Sequence, residues 1–317
     1  MTIMVTGATG FVGRYLIRSL LKKSYKVIAI GRDIKKMHAL FGSAVQCFTW
    51  DQLDQVSPTT CNIVINLAGE NIGSGRWTNA KKMLIKRSRL DATNKIVSWA
   101  LRFKEKPPHI YNASAIGVHG LKQPNSDSRI ESTRLSSQEP TNFLSEVASA
   151  WEDALQPAID SNIPVTFLRF APILDRGEGM LKKMELPFLL GLGTIIGNGE
   201  QSLAWIHIED VVAGIEFLLE RPAIVGPINF CSSEHTSQKE FARMLAKSMH
   251  RPLLFRLPSW MVKRMFGQMG EELLLGSQGA TPHRLNELGF QFRYNTLTDL
   301  FVYFKEQYNH KESRSAH

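Results

Sequence analysis

The chain has 317 residues and a formal net charge of +9, with 43% hydrophobic and 21% charged residues. A chain of this length can bury a large core, in one large α/β unit or in two lobes. No apolar run approaches the roughly 20 residues that span a membrane. A strand starts directly after Met1, which leaves no room for a signal peptide. We therefore expect a cytoplasmic protein with no membrane partner.

The cysteines and the basic residues exclude several classes of site. Cys47, Cys61 and Cys231 lie far apart, without CxxC spacing or histidine pairs, so neither disulfides nor a metal site are predicted. The cations are spread along the chain, and no DNA- or RNA-binding motif accompanies them, so the charge does not indicate nucleic acid. The densest basic stretch, residues 81–89, fits a polyanionic cofactor or an acidic substrate.

A glycine-rich turn follows the first predicted strand, Ile3-Met4-Val5. In a strand-to-helix turn, Gly7 supplies the sharp bend, Gly10 removes a Cβ that would block a pyrophosphate, and Gly13 lets the helix pack closely. The helix N-terminus then offers free N–H groups and a positive dipole end to the anion. The predicted phosphate-binding residues are Gly7, Thr9, Gly10, Phe11, Val12 and Gly13. Any tight turn can use glycine, so a dinucleotide site is predicted only if the following elements complete a βαβ unit.

A second strand over residues 27–30 completes a βαβ unit. The residue after this strand reads the adenine ribose: an acid bonds the 2′-hydroxyl, and an arginine accommodates a 2′-phosphate. Arg32 occupies this place, with Lys35 and Lys36 close behind. NADP(H) is therefore predicted as the cofactor, in preference to NAD(H). The alternative is a solvated Arg32, with Asp33 bonding the ribose.

Strands and helices continue to alternate along the chain. Further strands are predicted over residues 47–50, 63–67, 109–114 and 165–170, and helices over 79–102 and 142–160. This order predicts an α/β fold with a doubly wound parallel sheet of the Rossmann type. Ligands of such sheets bind beyond the carboxyl ends of the strands, where Gly69 and Ser114 fall.

The pattern changes after Pro172. We expect a dinucleotide-binding domain over residues 1–174, to which residues 201–230 return. A smaller, mainly helical C-terminal substrate lobe is predicted over residues 175–200 and 231–317. The tail from about residue 309 is predicted to be disordered.

Several motifs together resemble the extended short-chain dehydrogenase/reductase superfamily: the glycine turn, Asn66-Leu67-Ala68-Gly69, Ser114 at a strand end, Arg169-xx-Pro172, and residues 205–210. Residues 75–78, 114–117 and 288–294 resemble, more narrowly, its atypical "epimerase family" subgroup, with a C-terminal region of the DUF1731 type. The resemblance covers nearly the whole chain and implies a nicotinamide cofactor, without a settled substrate. It also implies cofactor contacts by Leu67, Ala68, Gly69, Arg89 and Ala113.

The catalytic helix departs from this superfamily. Ordinary members use a tyrosine to move the proton, a lysine four residues later, and a strand-end serine that polarises the substrate oxygen. Alignment on Glu152 places Leu144 at the tyrosine position and Ala148 at the lysine position. Neither side chain can move a proton, so the usual mechanism cannot be carried over.

Three residues are the candidates for catalysis. Ser114 would orient the reacting oxygen, and Glu70 or His119 would handle the proton. Each also has a structural interpretation: Ser114 as a turn cap, Glu70 as an ion-pair partner, and His119 as a loop histidine. His207, before two acids at a helix start, is expected to be structural.

The sequence thus predicts an NADP(H)-binding, nucleotide-sugar-epimerase-like oxidoreductase that acts on a small polar, anionic substrate. The alternative is a non-catalytic redox sensor or scaffold that binds NADP(H), which the loss of both tyrosine and lysine would explain. Monomer and homodimer both remain open.

Overall fold

The computed structural model describes residues 1–57, 61–103, 105–121, 129–133 and 141–305. The strands are β1 (Thr2–Thr6), β2 (Lys26–Gly31), β3 (Val45–Thr49), β4 (Ile63–Asn66), β5 (His109–Ala115), β6 (Val165–Phe170), β7 (Ile173–Leu174), β8 (Thr194–Ile196), β9 (Ile206–His207), β10 (Gly226–Phe230) and β11 (Phe255–Leu257). The α-helices are α1 (Phe11–Lys22), α2 (Ile34–Phe41), α3 (Asn79–Ala100), α4 (Phe143–Asp153), α5 (Gln156–Asp160), α6 (Gly179–Leu189), α7 (Ile208–Leu219), α8 (Gln238–Ser248), α9 (Ser259–Phe266) and α10 (His283–Glu287).

Seven strands form the main sheet, in the order β10-β6-β5-β4-β1-β2-β3. All pairings within it are parallel. The chain winds outward from β1 to β3 and then returns to β4, so the strand order reverses between β1 and β4. Ligands bind at this switch point in doubly wound sheets. The predicted fold class is therefore confirmed.

Helices cover both faces of the sheet. Leu16, Ile17 and Leu20 of α1 are fully buried in one core cluster, which also contains the apolar face of α7. Ile96 and Trp99 of α3 lie in a second cluster with residues of α5. The central strands are buried on both sides, which explains why β1 and β4 are continuous apolar runs rather than alternating ones.

Two element boundaries differ from the prediction. The single helix predicted over residues 142–160 is two helices, α4 and α5, because the chain turns at Leu155 and Pro157 starts a new helix without an N–H to donate. Trp50 lies in a short 3₁₀ helix rather than at the end of β3. These differences leave the sheet order unchanged.

The elements of the predicted smaller lobe lie between β6 and β10 and after β10 in the chain. They include the parallel pair β8–β11, and the helices α6 and α8 pack on a separate apolar cluster that includes Trp205 and Phe241. β10 lies in the main sheet beside β6. The division of the chain between two domains stays a prediction, and the tail from about residue 309 lies outside the described residues. Within the described ranges, no helix is long and apolar enough to cross a membrane.

Candidate functional site

The glycine-rich turn joins β1 to α1 with almost no free space. Gly7 has a φ of +64°, and a Cβ on it would lie 2.5 Å from the carbonyl oxygen of Leu67. A Cβ on Gly13 would lie 2.4 Å from the carbonyl oxygen of Gly7. Both positions therefore require glycine, one for its backbone conformation and one for the close approach of α1.

The start of α1 is open toward the switch point. Gly10 is the N-cap, and no side chain of the described residues caps the helix. A Cβ on Gly10 would meet only the Gly7 carbonyl oxygen, at 3.0 Å. The first N–H groups of α1, together with its dipole, thus form an anion-binding end that fits a pyrophosphate.

Arg32 and Asp33 follow β2, and their side chains differ in the bonds that they form within the protein. The Asp33 carboxylate accepts a hydrogen bond of 3.0 Å from the Lys36 N–H and caps α2. Arg32 is exposed and forms no ion pair with any residue that the structure describes. At the predicted ribose position, Arg32 is therefore the side chain left available for a ligand.

The end of β4 is tied to the end of β1. The Thr6 hydroxyl donates to the side-chain oxygen of Asn66 at 2.5 Å, and the Leu67 N–H donates to the Thr6 hydroxyl at 3.2 Å. The Ala68 N–H donates to the same Asn66 oxygen at 3.4 Å. These bonds bring Leu67 and Ala68 beside the glycine turn, as their predicted cofactor contacts require. Ala113 is buried in β5.

Arg89 anchors the loop after β4. Its Nη1 donates to the carbonyl oxygens of Glu70 and Ile85, at 3.0 and 2.9 Å, and its guanidinium lies 4.9 Å from the Trp151 ring centre. Burial lowers the pKa of Arg89 to about 10, against the opposing effect of the Glu70 charge. A Cβ on Gly69 would lie 3.2 Å from Cζ of Arg89. These contacts give Arg89 a structural role in holding the loop after β4. A cofactor contact by Arg89 stays a prediction.

Residues 175–179, at the start of the predicted smaller lobe, contact α1 at three points. A Cβ on Gly179 would lie 3.3 Å from the Phe11 ring, Arg14 pairs with Glu178, and the Tyr15 hydroxyl donates to Asp175 at 3.0 Å. Burial, and secondly the Asp175 charge, raise the pKa of Tyr15 to about 12. The lobe is thus held against the anion-binding end of α1.

Glu70, in the loop after β4, forms an ion pair with Lys81 of α3. Its carboxylate lies 2.7 Å from Nζ of Lys81, which also donates to the Ser74 hydroxyl at 3.0 Å. The side chains of Glu70 and Lys81 are 27% and 18% exposed. This pair remains in contact with solvent, a property that proton exchange requires.

Apolar side chains occupy the two positions at which the sequence comparison expects the usual tyrosine and lysine. Leu144 and Ala148 are buried, and Leu144 lies in a cluster with Trp77, Ile85 and Val147. The buried Glu272, from the C-terminal lobe, accepts the N–H groups of Phe143 and Leu144, at 3.1 and 2.9 Å. No local pattern signals this cap, because Glu272 lies 128 residues from Leu144.

Ser114 is buried at the end of β5 and donates to Glu152 at 2.8 Å. Glu152 forms a two-point ion pair with Arg169, at 2.8 and 2.9 Å, and both side chains are buried. A hydroxyl has one proton to donate. With that proton directed to Glu152, Ser114 can accept a hydrogen bond from a ligand but not polarise its carbonyl oxygen.

His119 lies in the interior beside β10. Its Nδ1 lies 2.5 Å from the Thr133 carbonyl oxygen, and its Nε2 lies 3.1 Å from the side-chain oxygen of Asn229. Burial is the main cause that lowers the pKa of His119 to about 4. His207 is also buried, and its ring accepts the Glu209 N–H at 3.4 Å, as a helix cap. Catalytic roles for Ser114, Glu70 and His119 stay predictions.

Because three imidazoles are buried, we expect the free energy of unfolding to fall in acid. Burial lowers the pKa of His109, His119 and His207 to about 4. An unfolded histidine titrates near pH 6.5, and each pH unit below that value corresponds to about 1.4 kcal/mol. As the pH falls from 7 to 5, the unfolded state binds protons that the folded state does not, so each histidine should lower the free energy of unfolding by about 2 kcal/mol.

Urea unfolding at pH 7 and pH 5 measures this effect. His119→Gln should reduce the difference between the two pH values. His283→Gln should not, because His283 is 48% exposed. A free energy of unfolding that is constant between pH 7 and pH 5 would contradict the buried, neutral imidazoles.

The open helix end and the glycine turn at the switch point, together with the available Arg32 after β2, define a dinucleotide-binding α/β protein of the Rossmann type. Residues 3–230 match the NAD dependent epimerase/dehydratase family, and residues 257–301 match a domain of unknown function, DUF1731. The chain belongs to this epimerase family.

Similar proteins support the same assignment. The epimerase family protein YfhF of Bacillus subtilis is 31% identical over 297 residues, which cover 94% of this chain and 95% of YfhF. The crystal structure of human epimerase family protein SDR39U1 with NADPH matches at a TM-score of 0.85 and 28% identity, over 96% and 99% of the two chains. UDP-glucuronic acid 4-epimerase from Bacillus cereus, with UDP-glucuronic acid and NAD, shares the fold at a TM-score of 0.73 and 20% identity, over 97% and 99%.

Proposed function

We propose that the protein is an oxidoreductase that binds NADP(H) in preference to NAD(H) and acts on a small polar, anionic substrate. The observation that carries the cofactor preference is the contrast after β2, where Arg32 is exposed and Asp33 caps α2. An arginine fits a 2′-phosphate, and one oxygen of the acid that would select a 2′-hydroxyl is occupied in capping α2. The NADPH in the similar SDR39U1 structure supports this choice.

The Glu70–Lys81 pair is the proposed proton-handling group. The nicotinamide supplies hydride chemistry when it is bound. Lys81, held by Glu70 and Ser74, would give a proton to the substrate oxygen and recover it from solvent, which reaches both side chains. His119 is less suited to proton transfer than this pair, because both of its ring nitrogens face oxygen partners in the interior.

Cations near the Glu70–Lys81 pair favour an anionic substrate. Arg76 is exposed on the loop between Glu70 and α3, and Lys183 of α6 donates to the Gly73 carbonyl oxygen of the same loop. Ser114 would accept a hydrogen bond from a substrate hydroxyl. Positive side chains at a cleft raise the local concentration of an anion.

Replacing Arg32 tests the cofactor preference. Arg32→Ala should weaken NADPH binding by about tenfold or more, because a charge-assisted contact contributes about 1.5–3 kcal/mol. NADH binding should stay unchanged. Isothermal titration of both cofactors measures the difference, and Arg87→Ala is a control at an exposed arginine of α3. Equal losses for the two cofactors would contradict recognition of the 2′-phosphate.

Turnover with a cell metabolite extract tests the proposed chemistry. Glu70→Gln and Lys81→Met should lower NADPH oxidation by about a hundredfold, the size expected for a general acid, and leave NADPH affinity within twofold. Glu146→Gln, at an exposed ion pair of α4, is the control. NADPH binding without turnover under any extract would contradict the oxidoreductase.

The second candidate is a non-catalytic redox sensor or scaffold. The buried apolar cluster around Leu144 favours it, because no proton donor stands where the superfamily has its tyrosine. A complex with NADPH would separate the two functions. A substrate-sized polar cavity that opens onto C4 of the nicotinamide supports the enzyme, whereas a cavity filled by side chains supports the sensor.

A further inference from the structure

Large apolar side chains are concentrated on one surface of the C-terminal lobe. Half of those that are exposed among the described residues belong to it. They are Leu186, Leu189, Leu190, Leu192, Leu254, Phe255, Trp260 and Met265, and we call them the lobe surface. Single exposed apolar residues need no explanation, but a contiguous group marks an interaction site.

The residues of the lobe surface lie on adjoining elements. The end of α6 leads into β8, where Thr194 pairs with Phe255 of β11. Nε of Arg251 donates to the Leu189 carbonyl oxygen at 2.7 Å, which ties the segment before β11 to the end of α6. Trp260 lies in the first turn of α9, directly after β11, and is 65% exposed. The elements that carry the lobe surface are therefore adjacent to one another.

The segment that carries Leu254, Phe255, Trp260 and Met265 is basic. Residues 241–270 contain six lysines and arginines but no aspartate or glutamate. The cations are Arg243, Lys247, Arg251, Arg256, Lys263 and Arg264, all of them exposed. On α9, Trp260 is followed by Lys263 and Arg264 at helical spacing, and Lys263 pairs with Glu271 at 3.1 Å. Apolar side chains within a basic surround match the chemistry of an anionic lipid surface.

We infer that the lobe surface docks on a membrane rich in anionic lipid. The leucines and Trp260 would enter the interface between head groups and acyl chains, while the arginines and lysines contact lipid phosphates. A second copy of the chain is a poorer partner, because pairing this surface with itself brings cations against cations. The expectation of no membrane partner rested on the lack of a membrane-spanning segment. Docking on the membrane surface does not require such a segment.

Docking would also place the candidate site near the membrane. Lys183, on α6, contacts the loop that carries Glu70 through the Gly73 carbonyl oxygen. The helix that carries Leu186 and Leu189 therefore contacts the loop to which the substrate is proposed to bind. The docking itself depends only on the surface and not on the proposed chemistry.

Vesicle flotation of the full chain tests this inference. Vesicles of phosphatidylcholine with a quarter of phosphatidylglycerol should bind at least about tenfold more protein than pure phosphatidylcholine, since each cation near such a surface contributes about 1 kcal/mol. The pairs Leu254→Gln with Trp260→Gln, and Arg256→Glu with Arg264→Glu, should each reduce binding to the anionic vesicles about tenfold or more. Met83→Gln, a residue of α3 that is 70% exposed, should not reduce it.

The NADPH affinity of each variant shows that the variant is folded, and this measurement does not depend on vesicle binding. Equal binding to both kinds of vesicle, or unchanged binding by the two double variants, would overturn the inference. Sedimentation that shows a dimer lost on Leu254→Gln, with no vesicle binding, would assign the surface to a second copy and would also overturn it.

Discussion

Gly10→Ala should leave the protein folded and weaken NADP(H) binding at least tenfold. Gly10 is an N-cap, where alanine is less favourable than glycine, and the new Cβ meets only the Gly7 carbonyl oxygen, at 3.0 Å, so the free energy of unfolding should fall by about 1 kcal/mol. The methyl group would occupy the space in which the pyrophosphate approaches the backbone. Gly13→Ala should act differently: its Cβ would lie 2.4 Å from the Gly7 oxygen and force α1 away from β1, at a cost of about 1–3 kcal/mol.

Chemical unfolding and NADPH titration of the same proteins separate these effects. Gly177→Ala is the matched control, because its Cβ would lie 3.6 Å from the nearest atom, an Asp175 oxygen, in ordinary contact. We expect the control to bind and unfold like the parent protein. Normal NADPH affinity in Gly10→Ala would mean that the dinucleotide does not approach the turn as proposed.

Glu152→Leu should destabilise the protein by about 3–5 kcal/mol, because it leaves the buried Arg169 guanidinium without its carboxylate. Both side chains are nearly inaccessible, at 1% for Glu152 and 2% for Arg169. The loss also removes the acceptor of the Ser114 hydroxyl. Glu152→Leu combined with Arg169→Met should recover much of the stability, since no unpaired charge then remains in the interior.

Thermal and urea unfolding of the two single variants and the double variant measure the coupling. Glu146→Leu is the control on the same helix: its ion pair with Lys86 is exposed and should contribute at most about 1 kcal/mol. Additive losses in the double variant would show that Glu152 and Arg169 act independently. That result would contradict a buried pair that stabilises the strand end.

Local features explain why much of the fold could be predicted. The glycine turn, the apolar strands and the helix between them lie within 30 residues, and the order of the later strands follows from their alternation with helices. The loss of the usual proton donor is also visible locally, at Leu144 and Ala148 on one helix. The break between α4 and α5 was missed, although Pro157 was its signal.

The partners of the candidate site residues could not be predicted in this way. His119 and Asn229 are 110 residues apart, and Ser114 and Glu152 are 38 apart. Such pairs form only when the sheet brings distant strands together, and no periodicity in the chain encodes them. Lys81 was predicted as part of a basic cluster, but its ion pair with Glu70 depends on how the loop folds against α3.

The sequence by itself determined the dinucleotide turn, the parallel sheet and the absence of the usual tyrosine and lysine, because backbone geometry and side-chain chemistry act over a few residues. Only the tertiary structure decided that Asp33 caps α2 while Arg32 stays exposed, that the Ser114 hydroxyl donates its hydrogen bond to Glu152, and that His119 is enclosed. Hydrogen bonding and burial depend on neighbours from distant parts of the chain. For this reason we propose the solvent-accessible pair of Glu70 and Lys81, rather than Ser114 or His119, as the proton-handling group.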